Sequence, residues 1–381
     1  MENLLRLDLD HILSRTEALW LDARGERFFL TGGTGFVGTW LMESLLWANR
    51  RLNLRISATV LTRNPAAFER RSPHLACDRA VTLMAGDATS FAFAKASFPL
   101  MVHAATQPYF PPDAGHPASV FGCDVASTGR VLEFARRCGV RRFLFTSSGT
   151  VYGKQPAGMS HIPEDYSGAP LTTDINSAYA QAKRASEFLC FSAGQACGFD
   201  VSVARLFAFA GPCLPLDANL AVGNFIRDVL AGSPVRITGD GTPYRSYLYA
   251  ADLAIWLWTI LLRGQASRAY NVGSEEAISI AGLAARVISA LGSKSAISVA
   301  QQPQPGIPAQ RYIPSTVRAR AELGLEQTVP LDEGIRRTAA WNASAATARF
   351  HSRLGTAPHF EPDPEGTPSE SVCAISAGGC R

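Results

Sequence analysis

The sequence predicts an α/β fold: a doubly wound parallel sheet with helices on both faces, followed by a smaller mixed lobe. Three observations carry that expectation. Short apolar strands alternate with helical stretches as far as residue 205, and a glycine-rich turn joins the first strand to the helix after it. Beyond residue 205 the alternation loosens into short helices separated by GPCLP, GSP and GDGTP turns. Strands alternating with helices pair in parallel and are covered on both faces.

Taken in order, residues 8–24 place Leu9, Ile12, Leu13, Leu19 and Trp20 near one face of an amphipathic helix. It precedes the first strand and reads as an appendage to the fold. Residues 27–31 (RFFLT) form a short buried strand running into the glycine turn, and residues 36–46 form a helix. Strands are expected at 56–61, 80–85, 100–104 and 142–147, with a helix at 120–138. The apolar stretch 253–262 is too short to span a bilayer and reads as a buried helix. The expected organisation is a helical extension over 1–26 and a dinucleotide-binding domain over 27–205. Residues 206–345 form mainly a substrate lobe, with some segments returning to the first domain, and 346–381 form a flexible tail of small, Pro- and Gly-rich composition.

The 381 residues are 47% hydrophobic and 18% charged, which suits a globular chain with a sizeable core. A net charge of +4 without any Lys/Arg run argues against a nucleic-acid partner, while leaving room for a local anion pocket. The eight cysteines show neither a CxxC pair nor Cys/His metal spacing, so no metal is expected and a reducing compartment fits best. The first residues have no basic segment or cleavage site of a secretory signal. The expectation is a cytoplasmic protein without a membrane partner.

The turn Thr31-Gly32-Gly33-Thr34-Gly35-Phe36-Val37-Gly38 satisfies GxGxxG through Gly33, Gly35 and Gly38, and GxxGxxG through Gly32, Gly35 and Gly38. Such a turn lets backbone approach a pyrophosphate and aims N–H groups from a helix N-terminus. Its strand–turn–helix setting points to a Rossmann-type dinucleotide site rather than an ordinary Gly-rich turn. The second strand ends in Thr62-Arg63-Asn64, with no carboxylate for the ribose hydroxyls of NAD. Arg63 can meet a 2′-phosphate or simply be a solvated loop residue. NAD and NADP both remain open, with the balance toward NADP. Asp87, with Ala88 beside it, is placed to approach the adenine. Ala104 and Ala105, followed by Thr106, offer small side chains where backbone passes the cofactor.

Tyr179 and Lys183 stand four apart in SAYAQAK and share one helix face. An ammonium beside a phenol stabilises phenolate and makes Tyr a usable general base. Ser148, at the polar end of the FLFTSSGTVYG strand, would hydrogen-bond the same substrate oxygen, and Thr150 is a candidate substrate contact beside it. The chain has four lysines, Lys95, Lys154, Lys183 and Lys294, so a chance match with this spacing is rare. A non-catalytic dinucleotide-binding scaffold is the competing class. It would be expected to lose part of the Ser–Tyr–Lys set, and all three are present.

Over residues 27–345 the chain resembles the nucleotide-sugar epimerase/dehydratase branch of the extended short-chain dehydrogenases. The resemblance rests on TGGTGFVG, TSSGTVYG and YAQAK, and on Gly211-Pro212, GDGTPYRSYLYAADLA and Tyr270-Asn271-Val272-Gly273. It implies an enzyme acting on a nucleotide-diphosphate sugar through a 4-keto intermediate. Arg245 would then hold the diphosphate, with Asn224 near the same region. A guanidinium suits phosphate oxygens, which gives Arg245 a rationale of its own and outweighs the reading as a surface arginine in a polar turn. Dehydratases of this family carry an Asp–Glu pair after the catalytic hydroxyl, and decarboxylases keep a Glu. Here those positions are Gly149 and Thr150, a pattern similar to that of the 4-epimerases. The resemblance therefore favours a 4-epimerase or ketoreductase over a dehydratase or decarboxylase. Glu164 and Asp165 are read as solvated loop carboxylates rather than as the missing acids. Ala208, Asp124 and Ser127 replace residues usual in the family (Asn, Asn and Gly), which implies a divergent substrate. The family also implies a homodimer built on the Tyr179 helix and the 120–138 helix.

Overall fold

The computed structural model describes residues 5–106, 116–218 and 220–344. It runs α1 (Arg6–Asp22), β1 (Arg27–Thr31), α2 (Phe36–Leu52), β2 (Ser57–Thr62), α3 (Pro65–Arg71), α4 (Pro73–Ala76), β3 (Val81–Ala85), β4 (Leu100–His103), α5 (Pro117–Arg137) and β5 (Arg142–Ser148). Next come α6 (Ala178–Cys197), β6 (Asp200–Leu206), β7 (Ala208–Ala210), α7 (Ala221–Leu230), β8 (Val235–Ile237), β9 (Tyr244–Arg245), β10 (Tyr247–Tyr249), α8 (Ala250–Arg263) and β11 (Arg268–Val272). The last elements are β12 (Ile278–Ser279), α9 (Ile280–Ala290), β13 (Ile297–Val299), β14 (Arg311–Tyr312), α10 (Val317–Leu323) and α11 (Leu331–Ala343). The 346–381 tail, expected to be flexible, lies outside the described residues.

A seven-stranded parallel sheet has the order β3-β2-β1-β4-β5-β6-β11. The order reverses between β1 and β4, and the crevice beyond those strand ends is where doubly wound sheets take ligands. Alternation along the strands explains the layering. Phe28 and Leu30 of β1 and Leu144 of β5 enter one apolar cluster with α1, α2 and α8. Phe29, Phe143 and Phe145 enter the other, with α5 and α6. Both faces are buried, so these strands read as apolar runs.

Local signals set the element ends. Asn64 caps α3 by accepting from the Ala67 amide (2.9 Å), and Pro65 follows at the first helical position. This turns the chain sharply after β2 and leaves Arg63 at the strand's end. α2 continues past the expected residue 46 to Leu52, because Asn53 supplies the left-handed cap. α8 covers the apolar stretch and is buried on every side from Ala250 to Leu261, the property of a central helix. Among the described residues no helix is long and apolar enough to cross a membrane.

The first helix is not an appendage. Leu9, Ile12 and Trp20 are fully buried, and the Trp20 ring meets Trp258 of α8 edge-on at 4.9 Å. Asp8 is buried too. It accepts from the Tyr249 hydroxyl (2.7 Å) and from Arg337 of α11 (2.5 Å). Amphipathic spacing alone did not reveal this, because the partners come from the far end of the sequence. Asp8→Ala is expected to cost about 2 kcal/mol by leaving the buried Tyr249 phenol without its acceptor and Arg337 with Glu333 alone. The measurement is a drop in urea midpoint at unchanged slope.

Candidate active site

A cleft of about 560 Å³ opens beyond the ends of β1, β2 and β4. Gly32, Thr34, Gly35, Phe36, Val37 and Gly38 line it along the glycine turn. Thr62, Arg63, Asp87 and Ala88 line one end, and Ala104, Ala105 and Thr106 the other. The turn's glycines are demanded by contact. Gly32 has φ +71°, and a Cβ there would sit 2.4 Å from the Ala104 backbone. A Cβ on Gly38 would sit 2.2 Å from the Gly32 carbonyl oxygen. Gly33 does not line the cleft; it packs toward Val60. A backbone cradle at a helix start, in a cleft of this size, fits a dinucleotide.

Thr31 organises the cleft from below. Its hydroxyl accepts from the Ala105 amide (3.1 Å) and pairs with Nδ1 of His103 (2.7 Å), whose Nε2 reaches Thr128 (3.2 Å). Burial and the nearby Lys183 charge push His103 down to about 3, so the imidazole is neutral. Arg71 donates to the Thr34 carbonyl, tying α3 to the glycine turn, and it lines the same end of the cleft as Arg63.

Ser148, Tyr179 and Lys183 come together at the Thr106 end. β5 ends at Ser148, and α6 starts at Ala178 after a 3-10 turn, presenting Tyr179 and Lys183 one turn apart. The Tyr179 hydroxyl hydrogen-bonds with Ser148 and with Thr106. The Ser148 hydroxyl accepts from the Thr150 amide (3.2 Å) and hydroxyl (3.0 Å). Lys183 is sealed from water, its ammonium 5.6 Å from the Tyr179 ring centre and 4.9 Å from that of Phe145. It donates to the Thr146 carbonyl (3.4 Å) and lies 3.7 Å from the buried Asp124 carboxylate.

That ion pair adds a carboxylate to the expected Tyr–Lys pair. Burial, followed by the Asp124 charge, pushes Tyr179 up to about 12, although its bonds to Ser148 and Thr106 oppose the shift. Burial lowers Lys183, while Asp124 opposes that change. The ammonium is thus balanced by a carboxylate before its field can favour phenolate.

Tyr312 was not singled out from the sequence. β14 pairs with β9 and places Tyr312 opposite Arg245, whose guanidinium lies 5.8 Å from the ring centre. The Tyr312 hydroxyl hydrogen-bonds with Ser148 and its ring packs on Phe207 at 4.6 Å. The two side chains fill the space beside Gly149, where a Cβ would come within 2.6 Å of Phe207 and 2.7 Å of the Tyr312 oxygen. Arg245 is therefore part of this cluster through Tyr312. Asn224 lies on α7 with its side-chain amide facing the carbonyls of Ala218 (2.8 Å) and Leu216 (3.0 Å) in the loop before that helix. Glu164 is not solvated either. Its side chain is buried, accepting from the Asn271 amide (2.9 Å) with Arg318 at 3.9 Å, while Asp165 is exposed. Among the described residues no His/Cys/Asp/Glu cluster is arranged to hold a metal ion.

The family model described as the NAD dependent epimerase/dehydratase family matches residues 28–273. UDP-glucuronic acid decarboxylase 1 of Xenopus tropicalis is 27% identical over 314 residues, covering 82% of this chain and 71% of that protein. UDP-glucuronic acid decarboxylase 5 of Arabidopsis thaliana is 27% identical over 310 residues, 81% of this chain and 87% of its own length. Among solved structures, UDP-glucose 4-epimerase of Thermotoga maritima with UDP-glucose superposes with a TM-score of 0.69 at 20% identity, covering 86% of this chain and 99% of that one. UDP-glucuronic acid 4-epimerase of Bacillus cereus, in complex with UDP-glucuronic acid and NAD, gives a TM-score of 0.69 at 21% identity, with 83% and 98% covered. At these identities the structures share the fold. With its glycine cradle, its Ser–Tyr–Lys cluster and a match over most of its length, this chain belongs to the NAD dependent epimerase/dehydratase family of enzymes.

Proposed function

We propose that this enzyme converts a nucleotide-diphosphate sugar by proton and hydride exchange at the sugar C4, as a 4-epimerase or a ketoreductase. The observation that carries this reading is the filled space at Gly149. Phe207 and Tyr312 leave no room there for an acid side chain, and the next position is Thr150. The titratable groups bonded to Ser148 are then two phenols, Tyr179 and Tyr312. Phenols suit proton transfer at a hydroxyl or carbonyl oxygen, whereas eliminating water calls for a further acid and base.

In this reading the cleft along the glycine turn holds the dinucleotide, which supplies a nicotinamide able to take or give a hydride. Tyr179 moves the proton at the sugar 4-oxygen, and Ser148, with Thr150 behind it, hydrogen-bonds that oxygen. Lys183 orients the phenol from below and meets the nicotinamide ribose. Arg245, held over Tyr312, receives the diphosphate. A second reading, decarboxylation of a nucleotide-linked uronic acid, is supported by the decarboxylases among the relatives. Tyr179→Phe is expected to lower turnover about 10³-fold on whichever nucleotide sugar is accepted, and to abolish transient cofactor reduction. The assay follows nicotinamide absorbance and product identity across a panel that includes UDP-glucuronic acid. Undiminished turnover overturns the role given to Tyr179, carbon dioxide release selects the second reading, and no reaction in wild type with any sugar favours a scaffold.

For the cofactor we favour NADP. Thr62 ends β2 where an NAD site carries a carboxylate, and both Arg63 and Arg71 line that end of the cleft. Arg63→Ala is expected to weaken NADP binding about tenfold and NAD binding much less, as read by fluorescence titration. Equal losses for the two cofactors contradict the preference.

A homodimer is the partner reading that the surface supports. Phe121 on α5 and Phe188 on α6 are 39% and 71% exposed, and Gly122 and Gly129 of α5 open onto free space where another helix can approach closely. Light scattering is expected to give a dimer mass for the wild type and a monomer for Phe188→Glu. A monomeric wild type refutes this reading.

A further inference from the structure

We infer that Asp124 is a positioning residue that keeps Tyr179 in its protonated form, so that the resting site is set to give a proton to a ketone rather than to take one from an alcohol. The inference rests on the C4 chemistry proposed above and names the substrate class within it: a nucleotide-linked keto sugar.

The argument begins with a buried charge. Lys183 is 2% exposed and Asp124 3%, and their charged groups lie 3.7 Å apart. At that distance, away from water, the carboxylate opposes the field that the ammonium projects onto the phenol. Asp124 also reaches Tyr179 through a shared neighbour. The Thr106 hydroxyl donates to the Asp124 carboxylate (2.8 Å) and hydrogen-bonds with the Tyr179 hydroxyl. A phenolate would therefore form one hydrogen-bonded neighbour away from the Asp124 carboxylate.

Among the described residues, the other titratable groups around this pair leave Asp124 as the deciding charge. His103 on β4 is held neutral. Cys190 on α6 is buried, its thiol pushed up. Glu187 on α6 is taken up by a two-point contact with Arg205 of β6 (2.7 and 3.0 Å) and by the Ser147 hydroxyl (2.5 Å). Tyr312 on β14 is pushed up by burial and stays neutral, with Arg245 of β9 on its far side. The neutral amide of asparagine would fit the position of Asp124 without placing a charge there.

In the reductive direction the atoms balance simply. The Tyr179 O–H bond breaks as the carbonyl oxygen takes the proton. The carbonyl carbon takes hydride from a reduced nicotinamide dinucleotide, which is oxidised, and solvent returns a proton to the phenolate. A preceding oxidation or dehydration of a nucleotide sugar must supply such a ketone.

The test needs no substrate, so its outcome is separate from that of the C4 reading. Tyrosinate absorbance after a rapid pH jump, read before the fold is lost, isolates Tyr179 as the difference between wild type and Tyr179→Phe. The wild-type midpoint is expected near 12, and Asp124→Asn is expected to lower it by about one pH unit. Thr106→Val, which removes a bond that opposes the rise, provides a second variant and is expected to move the midpoint up, opposite in sign to Asp124→Asn. A wild-type midpoint at or below the ordinary phenol value of about 10 overturns the inference. So does an Asp124→Asn midpoint equal to that of the wild type in a folded protein.

Discussion

Burying the ammonium of Lys183 is the constraint around which the site is assembled. A lysine withdrawn from water must find acceptors and an opposite charge or lose its proton. The Thr146 carbonyl supplies an acceptor from β5 and Asp124 supplies the charge from α5. Meeting both needs fixes α6 against the sheet and against α5. A second polar contact, Thr128 to Ser186 (3.0 Å), continues the same seam. Tyr179 then has little freedom, because it lies one helical turn before Lys183 and its hydroxyl is shared between Ser148 and Thr106. The same seam touches the cofactor cleft, since Thr106 and Asp124 both line it. The Ser–Tyr–Lys cluster and the cleft are thus joined through one buried ion pair.

The second half of the site arrives from the C-terminal lobe. A parallel bridge between Ile162 and Pro314 brings the segment after β14 against the loop that precedes α6, and Ile162 donates to the Ile313 carbonyl (2.8 Å). Register between β9 and β14 then puts Tyr312 opposite Arg245. A network behind them, in which Arg205 donates to the Tyr152 hydroxyl (2.9 Å) and that hydroxyl donates to Asn271 (2.7 Å), holds the loop rigidly enough for the ring positions to matter. Strand register in this lobe thus decides which side chains lie over Ser148.

What the sequence made legible follows from locality. The glycine turn, the strand end at Ser148 and the Tyr179–Lys183 spacing are short-range patterns, and each sits on the element expected. The cleft residues from Thr62 to Thr106 were legible because doubly wound sheets put strand ends beside one another. Asp124 stood out as a departure, but its pairing with Lys183 depends on how α5 docks on α6. Tyr312 carried no local signal, since its role arises from strand register in a lobe of two- and three-residue strands. Glu164 reads as a solvated loop carboxylate until Asn271 and Arg318 are seen to enclose it.

The buried first helix has a consequence for the chain while it is being made. α1 leaves the ribosome well before α8 and α11, yet Trp20 needs α8, and Asp8 needs Tyr249 and Arg337. A second latch has the same span: His11 pairs with Thr328 (2.7 Å), which also bonds to the buried Asp252. At roughly 5–20 residues per second, the apolar face of α1 waits on the order of tens of seconds for partners that have not yet been synthesised. Vectorial folding from the N-terminus cannot complete this core. The nascent chain must shield that helix, by chaperone or by provisional contact with α2, until its closing segments emerge.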